Sequence, residues 1–489
     1  MLEPLHSTVQ AQILVILLLT TFLQIPGVLT NPQQTSSEVS FTHHHEFPHR
    51  DGNSLSTDTS LVSAQSTISG YISSPTKLDV DFNLKTRPTA VYRPRRLEGI
   101  DHARLTATRR TARNQELEAS ESVDEVNVYT NDDPSDVDSD WDIVHLNGPD
   151  VQDLHTLAQL ARMSGNAYAL GPSEKNWYEL DGAWNISFPF GYEDAQDGFR
   201  GHVFLSSDNS TIVLAIKGTT IQGPTSKKDK FNDNLLFSCC CARVDFSWVF
   251  RQVCDCYSGS WRCDNTCLSN ALVEDSLFYT VGLDLVNDLQ ALYPSANLWL
   301  VGHSLGGALA SLLGSTFGLP AVAFESPGER LAASRLGLPF PSSPQSPPDS
   351  DMRDGRLIPS LSPSIHVYHT ADPIPQGTCT GPFSPCAQVG YALETHCHLG
   401  KSIVFDSVTE LGWKVDVRRH TIREVIGLME MWDQESSTVL EPAYGLEDWL
   451  GDAKKRTRRV PEAKEETDCV DCFKWEFGDF KDKKMYTER

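Results

Sequence analysis

Val301-Gly302-His303-Ser304-Leu305-Gly306-Gly307 constrains this chain more than any other stretch. It has the form G-x-S-x-G. The apolar run Leu298-Trp299-Leu300-Val301 precedes it, and the small-residue pattern Ala308-Leu309-Ala310-Ser311-Leu312-Leu313 follows. The spacing predicts a strand, a cramped turn and a helix, with a glycine two residues to either side of the serine giving the backbone room. Such a turn exposes a serine hydroxyl at the top of a sheet. It also aims a helix N-terminus, with its unbonded N–H groups, at any anion that forms there. The five-residue pattern is common by itself and gains meaning only from partners elsewhere.

A serine hydroxyl is a weak nucleophile at its own pKa and needs a base, and an acid to orient that base. Asp372 fits the acid. It follows the strand-like Ile365-His366-Val367-Tyr368, and Pro373-Ile374-Pro375 keeps the next residues in a loop. Glu325, which closes the run Ala321-Val322-Ala323-Phe324, is the alternative acid, ranked below because Pro327-Gly328 follow it in a tight turn. His420 fits the base. Trp413-Lys414-Val415-Asp416-Val417 reads as a strand and Thr421-Ile422-Arg423-Glu424 as a capping box, which puts His420 in a strand-to-helix loop. His396 and His398 are rivals, but both flank Cys397 and read as structural. His303 adjoins the serine; neighbours on such a turn point apart, so it reads as a packing residue. Two donors must face a developing oxyanion. The expected pair is the N–H of Leu305 and the N–H of Thr219, the latter in the loop Lys217-Gly218-Thr219-Thr220.

The surrounding pattern is α/β. Leu154, Leu157, Ala158 and Ala161 mark one helical face, and Leu277, Val281, Leu285, Leu289 and Leu292 mark another. A hairpin joins His202–Leu205 to Thr211–Ile216. Apolar strands alternating with helices predict a mostly parallel central sheet over residues 146–440. Residues 30–145 read as a polar stalk, although Ala90-Val91-Tyr92 is β-prone enough to pack on the main unit, and 441–489 as a charged tail. Residues 238–267 hold seven cysteines and form a candidate lid or lid anchor; the Pro/Ser-rich stretch 339–364 reads as a surface loop.

A net charge of −24 argues against nucleic acid as a partner, because a phosphate backbone requires a basic face. After a short tail at 1–12, residues 13–29 are apolar enough for a signal anchor, preferred here over a cleaved signal. Twelve cysteines and the sequons at Asn185 and Asn209 all lie beyond that segment, which fits a disulfide framework in an oxidising lumen. No metal or cofactor is expected. The cysteine spacings are not those of a zinc finger, and Asp136, Asp138 and Asp140 lack the glycine and glutamate of a calcium loop. Cys469-Val470-Asp471-Cys472 reads as structural rather than redox-active, and the basic cluster at 454–459 as solvated rather than processed.

Leu157–Ser164, Lys217-Gly218-Thr219, the serine motif and the Asp372–His420 pair together resemble the class 3 (fungal triacylglycerol) lipases over roughly residues 150–435. Lys217 departs from the arginine many of them carry. The N-terminal segment, Asn185-Ile186-Ser187, the cysteine-rich insertion, His369–Pro375 and Gly390–Thr395 are similar, more narrowly, to the autophagy-related lipases of fungi. The resemblance implies an α/β-hydrolase fold and a catalytic set of Ser304, Asp372 and His420. It further implies a single-pass type II glycoprotein sorted through multivesicular bodies to the vacuole lumen, where it would hydrolyse phospholipid and triacylglycerol of internal membranes. Two other readings fit the residues: an esterase of non-membrane esters, and an inactive lipid-binding glycoprotein.

Overall fold

A computed structural model of the chain describes residues 84–94, 141–338, 362–437 and 459–480, with gaps at 185, 193–197, 245–249, 276, 337, 380–385, 387–388 and 467–468. The chain runs through β1 (Thr86–Pro94), β2 (Trp141–Pro149), α1 (Leu154–Asn166), β3 (Ile186–Phe190), β4 (Gly201–Leu205) and β5 (Thr211–Ile216). It continues through α2 (Ser226–Phe237), β6 (Ala242–Val244), β7 (Phe250–Gln252), β8 (Arg262–Asp264), α3 (Asn265–Asp275), α4 (Leu277–Leu292), β9 (Asn297–His303) and α5 (Leu305–Phe317). Last come β10 (Ala321–Phe324), α6 (Arg330–Arg335), β11 (Ser364–His369), β12 (Lys401–Phe405), α7 (Ser407–Leu411), α8 (Ile422–Ser437), β13 (Lys464–Glu465) and β14 (Glu476–Gly478).

Alternation along the strands sets the layers. In β5, Ile212, Leu214 and Ile216 join one apolar cluster while Val213 and Ala215 join another. In β9, Leu298 and Leu300 divide from Trp299 and Val301 in the same way. Successive strand residues face opposite sides, so a sheet apolar on both faces requires helices on both. Leu309, Leu312 and Leu313 of α5 and Leu285 and Leu289 of α4 fill the first cluster; Leu157 and Leu160 of α1 and Val425 and Met429 of α8 fill the second. The sheet order is β13-β12-β11-β10-β9-β5-β4-β3. Its five middle strands, β12 to β5, are parallel; β13 and β4 run against them at the flanks, and β3 pairs antiparallel with β4. Ser304, Asp372 and the 217–220 loop therefore all leave the same end of the sheet, at the carboxyl ends of β9, β11 and β5.

Two stretches differ from the sequence reading, and a third, around Ala90-Val91-Tyr92, packs as its β-prone residues suggest. Residues 413–417 are not a strand: Val415 is 59% exposed, and the last of them opens a 3-10 turn, Val417–His420. A short alternation of apolar and polar residues needs a neighbouring strand to become β, and here the backbone bonds to a loop instead, Asp416 N donating to Ala371 O at 3.0 Å. Part of the 30–145 stretch packs on the main unit. β1 and β2 pair antiparallel from Thr86↔Pro149 to Pro94↔Trp141, and Trp299 Nε1 donates to Asn147 O at 2.7 Å. The 441–489 stretch is more than a tail. β13 extends the main sheet, β14 pairs with β8, and the disulfides Cys397–Cys469 and Cys239–Cys472 bind 459–480 to the domain. Cys240–Cys263, Cys256–Cys267 and Cys379–Cys386 complete the disulfides among the described residues. No helix among the described residues is long and apolar enough to cross a membrane; segment 13–29, the acidic run at 132–140 and most of loop 339–364 and cluster 454–459 lie outside them.

Candidate active site

Ser304 caps α5 with φ 59° and ψ −131°, a left-handed conformation that a residue with a Cβ rarely adopts. Space, rather than backbone freedom, is what the flanking glycines supply. A Cβ on Gly302 would sit 2.3 Å from the carbonyl carbon of Gly306, and one on Gly306 would sit 2.1 Å from Ile216 O. The turn is held at both ends: Ser304 N donates to Phe324 O at 2.9 Å, and Gly307 N donates to Ser304 O at 2.9 Å.

The structure brings the three residues expected from the sequence into one line. His420 Nε2 lies 2.8 Å from Ser304 Oγ, and His420 Nδ1 lies 2.6 Å from Asp372 Oδ2. Asp372 is fully buried, and its Oδ1 accepts from Ile374 N at 2.9 Å. Burial presses its carboxyl upward, but His420, Glu325 and the Ile374 N–H outweigh that and hold it below the ordinary aspartate value. His420 ends the 3-10 turn that Asp416 caps, with Asp416 Oδ1 accepting from Arg418 N at 2.9 Å. Helix α8 starts two residues later, and the Glu424 carboxylate pairs with Arg419.

His303 does more than pack. Its Nε2 lies 2.6 Å from His420 O and its Nδ1 lies 2.8 Å from Tyr168 OH. Burial, with the charge of His420, pulls its pKa down to about 3, so the ring is neutral: Nε2–H donates to the carbonyl and Nδ1 accepts from the tyrosine. Neither His303 nor Tyr168 carries a sequence signal for this role, because the bonds span 117 and 135 residues. His398 is buried against Ser326 O and Glu466, and His396 N donates to Asp471 Oδ1 at 2.8 Å beside the Cys397–Cys469 disulfide, whereas His420 is the histidine at the serine.

On the other side of Ser304, Gly218 allows the 217–220 loop to close in. A Cβ there would meet His303 O at 2.2 Å and Tyr168 OH at 2.3 Å. The N–H groups of Thr219 and Leu305 make no hydrogen bond among the described residues. The Thr219 hydroxyl donates to Asp233 Oδ2 of α2. Burial raises the Asp233 carboxyl to about 7, against the pull of that hydroxyl. Lys217, where an arginine was the commoner residue, is buried and donates to Gly218 O at 2.8 Å and Asp229 Oδ2 at 2.9 Å. Asp229 Oδ2 also accepts from Thr220 N and from Thr225 Oγ1, each at 2.9 Å, so a lysine point charge suffices to hold the loop.

Asn209 is exposed in the β4–β5 turn, and Asn185 lies outside the described residues. Glu329, His366 and His398 bring ligand-type atoms within 4.8 Å of one another. Their nitrogens are already engaged: His366 with Glu329 at 2.9 Å and Ser326 Oγ at 2.9 Å, His398 with Ser326 O at 3.0 Å and Glu466 at 2.9 Å. The imidazole nitrogens of the set are thus taken up by hydrogen bonds, while Glu329 Oε2 has no partner among the described residues.

Residues 220–319 match the family model described as Lipase (class 3). That stretch contains Ser304 and Leu305 but stops short of Thr219, Asp372 and His420. A protein of Cryptococcus neoformans named "Putative lipase ATG15" is 46% identical over 71% of this chain and 71% of its own length. The protein of that name from Mycosarcoma maydis is 40% identical over 70% of this chain and 69% of its own. The one from Saccharomyces cerevisiae is 42% identical over 69% of this chain and 58% of its own. Among solved structures, Lip2 lipase from Yarrowia lipolytica is similar at TM-score 0.28 and 16% identity, covering 50% of this chain and 77% of that one, too slight a likeness to argue from.

Proposed function

Because the chain belongs to the ATG15 family of lipases, we propose that it cleaves acyl esters through Ser304, His420 and Asp372. His420 Nε2 takes the proton of Ser304 Oγ as the oxygen attacks the ester carbonyl, and Asp372 holds the Nδ1–H tautomer and the imidazolium that forms. The carbonyl oxygen becomes an oxyanion, received by the Thr219 and Leu305 N–H groups. His420 returns the proton to the leaving alcohol. A water molecule, deprotonated by the same imidazole, then releases the fatty acid and restores Ser304.

One observation carries this reading: the 2.8 Å and 2.6 Å contacts that join three residues 116 and 48 positions apart at the strained turn of Ser304. The family relation supports lipids as the substrate class, and we assign phospholipid and triacylglycerol of membranes to it. The apolar segment 13–29, the sequons at Asn185 and Asn209 and the disulfides support a membrane-anchored glycoprotein of type II topology. In that reading the protein travels through multivesicular bodies to the vacuole lumen, where it lyses autophagic bodies.

The test is Ser304→Ala in the full chain, assayed on phospholipid vesicles and a soluble short-chain ester. Turnover should fall by roughly three orders of magnitude or more, and a serine-directed fluorophosphonate should no longer label the protein. Undiminished hydrolysis by a folded variant ends the proposal.

A further inference from the structure

Glu325 closes β10 beside the acid that orients His420, and the steps above leave it unused. It is fully buried and has φ 46°, a conformation that strains any side-chain-bearing residue. Its Oε1 accepts from His369 N at 3.1 Å, and its Oε2 finds no donor among the described residues. Asp372 meets it at the same turn: Asp372 N donates to His369 O at 3.1 Å, and His369 N is the group that Glu325 Oε1 holds, so both buried carboxyls flank one residue. Two carboxyls in one dry pocket cannot both be charged. Asp372 accepts from His420 Nδ1 and Ile374 N, which stabilise an anion, whereas among the described residues Glu325 accepts from one N–H, with His369 Nε2 farther off at 3.6 Å.

We propose that Glu325 is a positioning residue, a carboxylic acid whose O–H donates to the Asp372 carboxylate and extends the relay to four members. Burial, then the charge of Asp372, drives the Glu325 carboxyl well above the ordinary glutamate value, in keeping with that proton. The other titratable groups around the pair are His369 and Tyr368 on β11, His303 on β9, and Arg419 and His420 on the 3-10 turn. His369 and His303 are pulled down by burial and stay neutral, Tyr368 is pushed up, and Arg419 spends its charge on Glu424 and the Trp413 ring. One negative charge therefore faces His420, and the Glu325 O–H spreads it. A carboxylate that already accepts this bond holds the imidazolium less tightly, which keeps His420 usable as a base further into acid.

The inference rests on the catalytic reading above, and its test separates the two. The acid limb of kcat/KM is measured on a soluble ester for wild type, Glu325→Gln and Glu325→Ala. Gln retains a donor and should restore the wild-type limb; Ala should move it to higher pH by about one unit, a roughly tenfold loss on the acid side. Equal shifts in both variants, or none in Ala, overturn the proposal. Should Ala not fold, the infrared difference between wild type and Glu325→Gln decides: a protonated carboxyl band at neutral pH is expected, and its absence overturns the assignment. That band needs no turnover, so an inactive but folded enzyme would sink the catalytic reading alone.

Discussion

Thr219 combines two functions in the proposed oxyanion site: its N–H is left for the reacting oxygen, and its hydroxyl, held by Asp233, fixes where that N–H lies. Thr219→Val keeps the N–H and the side-chain shape but loses the anchor. We expect kcat to fall about ten- to a hundredfold with KM little changed, less than the roughly hundred- to thousandfold of losing an oxyanion donor outright. Thr219→Ser should recover most of it, and a Val variant with wild-type kcat would refute the role. Residues of this site were legible where chain punctuation gave them away. Ser304 sits between glycines, Asp372 before Pro373, and His420 just before a helix start. Asp233, His303, Tyr168 and Glu325 were not legible as partners, because what recruits them is a hydrogen bond across the fold. An Asp at position 233 of a helix that buries Asp229, Asn232 and Asn234 looks, along the chain, like a solvated face.

At the level of elements, strands buried on both sides are legible in the sequence because their apolar runs are continuous, as in Thr211–Ile216 and Asn297–His303. Helix α2 is not legible in the sequence. Its only apolar residues are Phe231 and the closing Leu235-Leu236-Phe237, while polar groups bonded to Lys217, Thr219 and Gly390 fill its inner face. The attachment of the C-terminal stretch is hidden for a related reason: its composition is charged, and the few apolar residues that dock it, Val460, Trp475 and Phe477, are scattered among those charges and backed by disulfides. Cys472 joins Cys239 across 233 residues, next to the pairing of β14 with β8. Closing so long a loop restricts the unfolded chain strongly. Cys472→Ser should therefore lower stability by about 2–4 kcal/mol, seen as a lower melting temperature, while fluorophosphonate labelling of Ser304 persists below the transition. An unchanged melting temperature would mean that the strap is held without the bridge.

For the molecule as a whole, the buried titratable groups point to a fold made for mild acid. Burial lifts Asp233 to about 7 and holds Glu325 well above its ordinary value; each is bound in the folded state with a proton that the unfolded chain gives up sooner. Their stability contribution is full below the unfolded carboxyl pKa and declines as pH rises towards the folded one. Burial opposes the charge of His398, but Glu466 and Glu329 outweigh it and raise its pKa, so that contribution too fades as pH climbs through the raised value. Glu466 and Asp372 have the opposite sign. Burial is outweighed by His398 and Ser402 around the first and by His420 around the second, both are depressed, and their contributions vanish only as pH falls through the lowered values. A chain carrying −24 at neutral pH also repels itself less as it approaches its pI of about 5.0. The melting temperature should therefore peak at about pH 5 to 6 and fall towards pH 8. Glu466→Gln removes the partner of His398 and the clamp between β13 and the sheet, so its deficit should be larger at the acid optimum than at pH 8. A wild-type melting temperature that climbs steadily to pH 8 would show that these buried protons do not govern the stability of the fold.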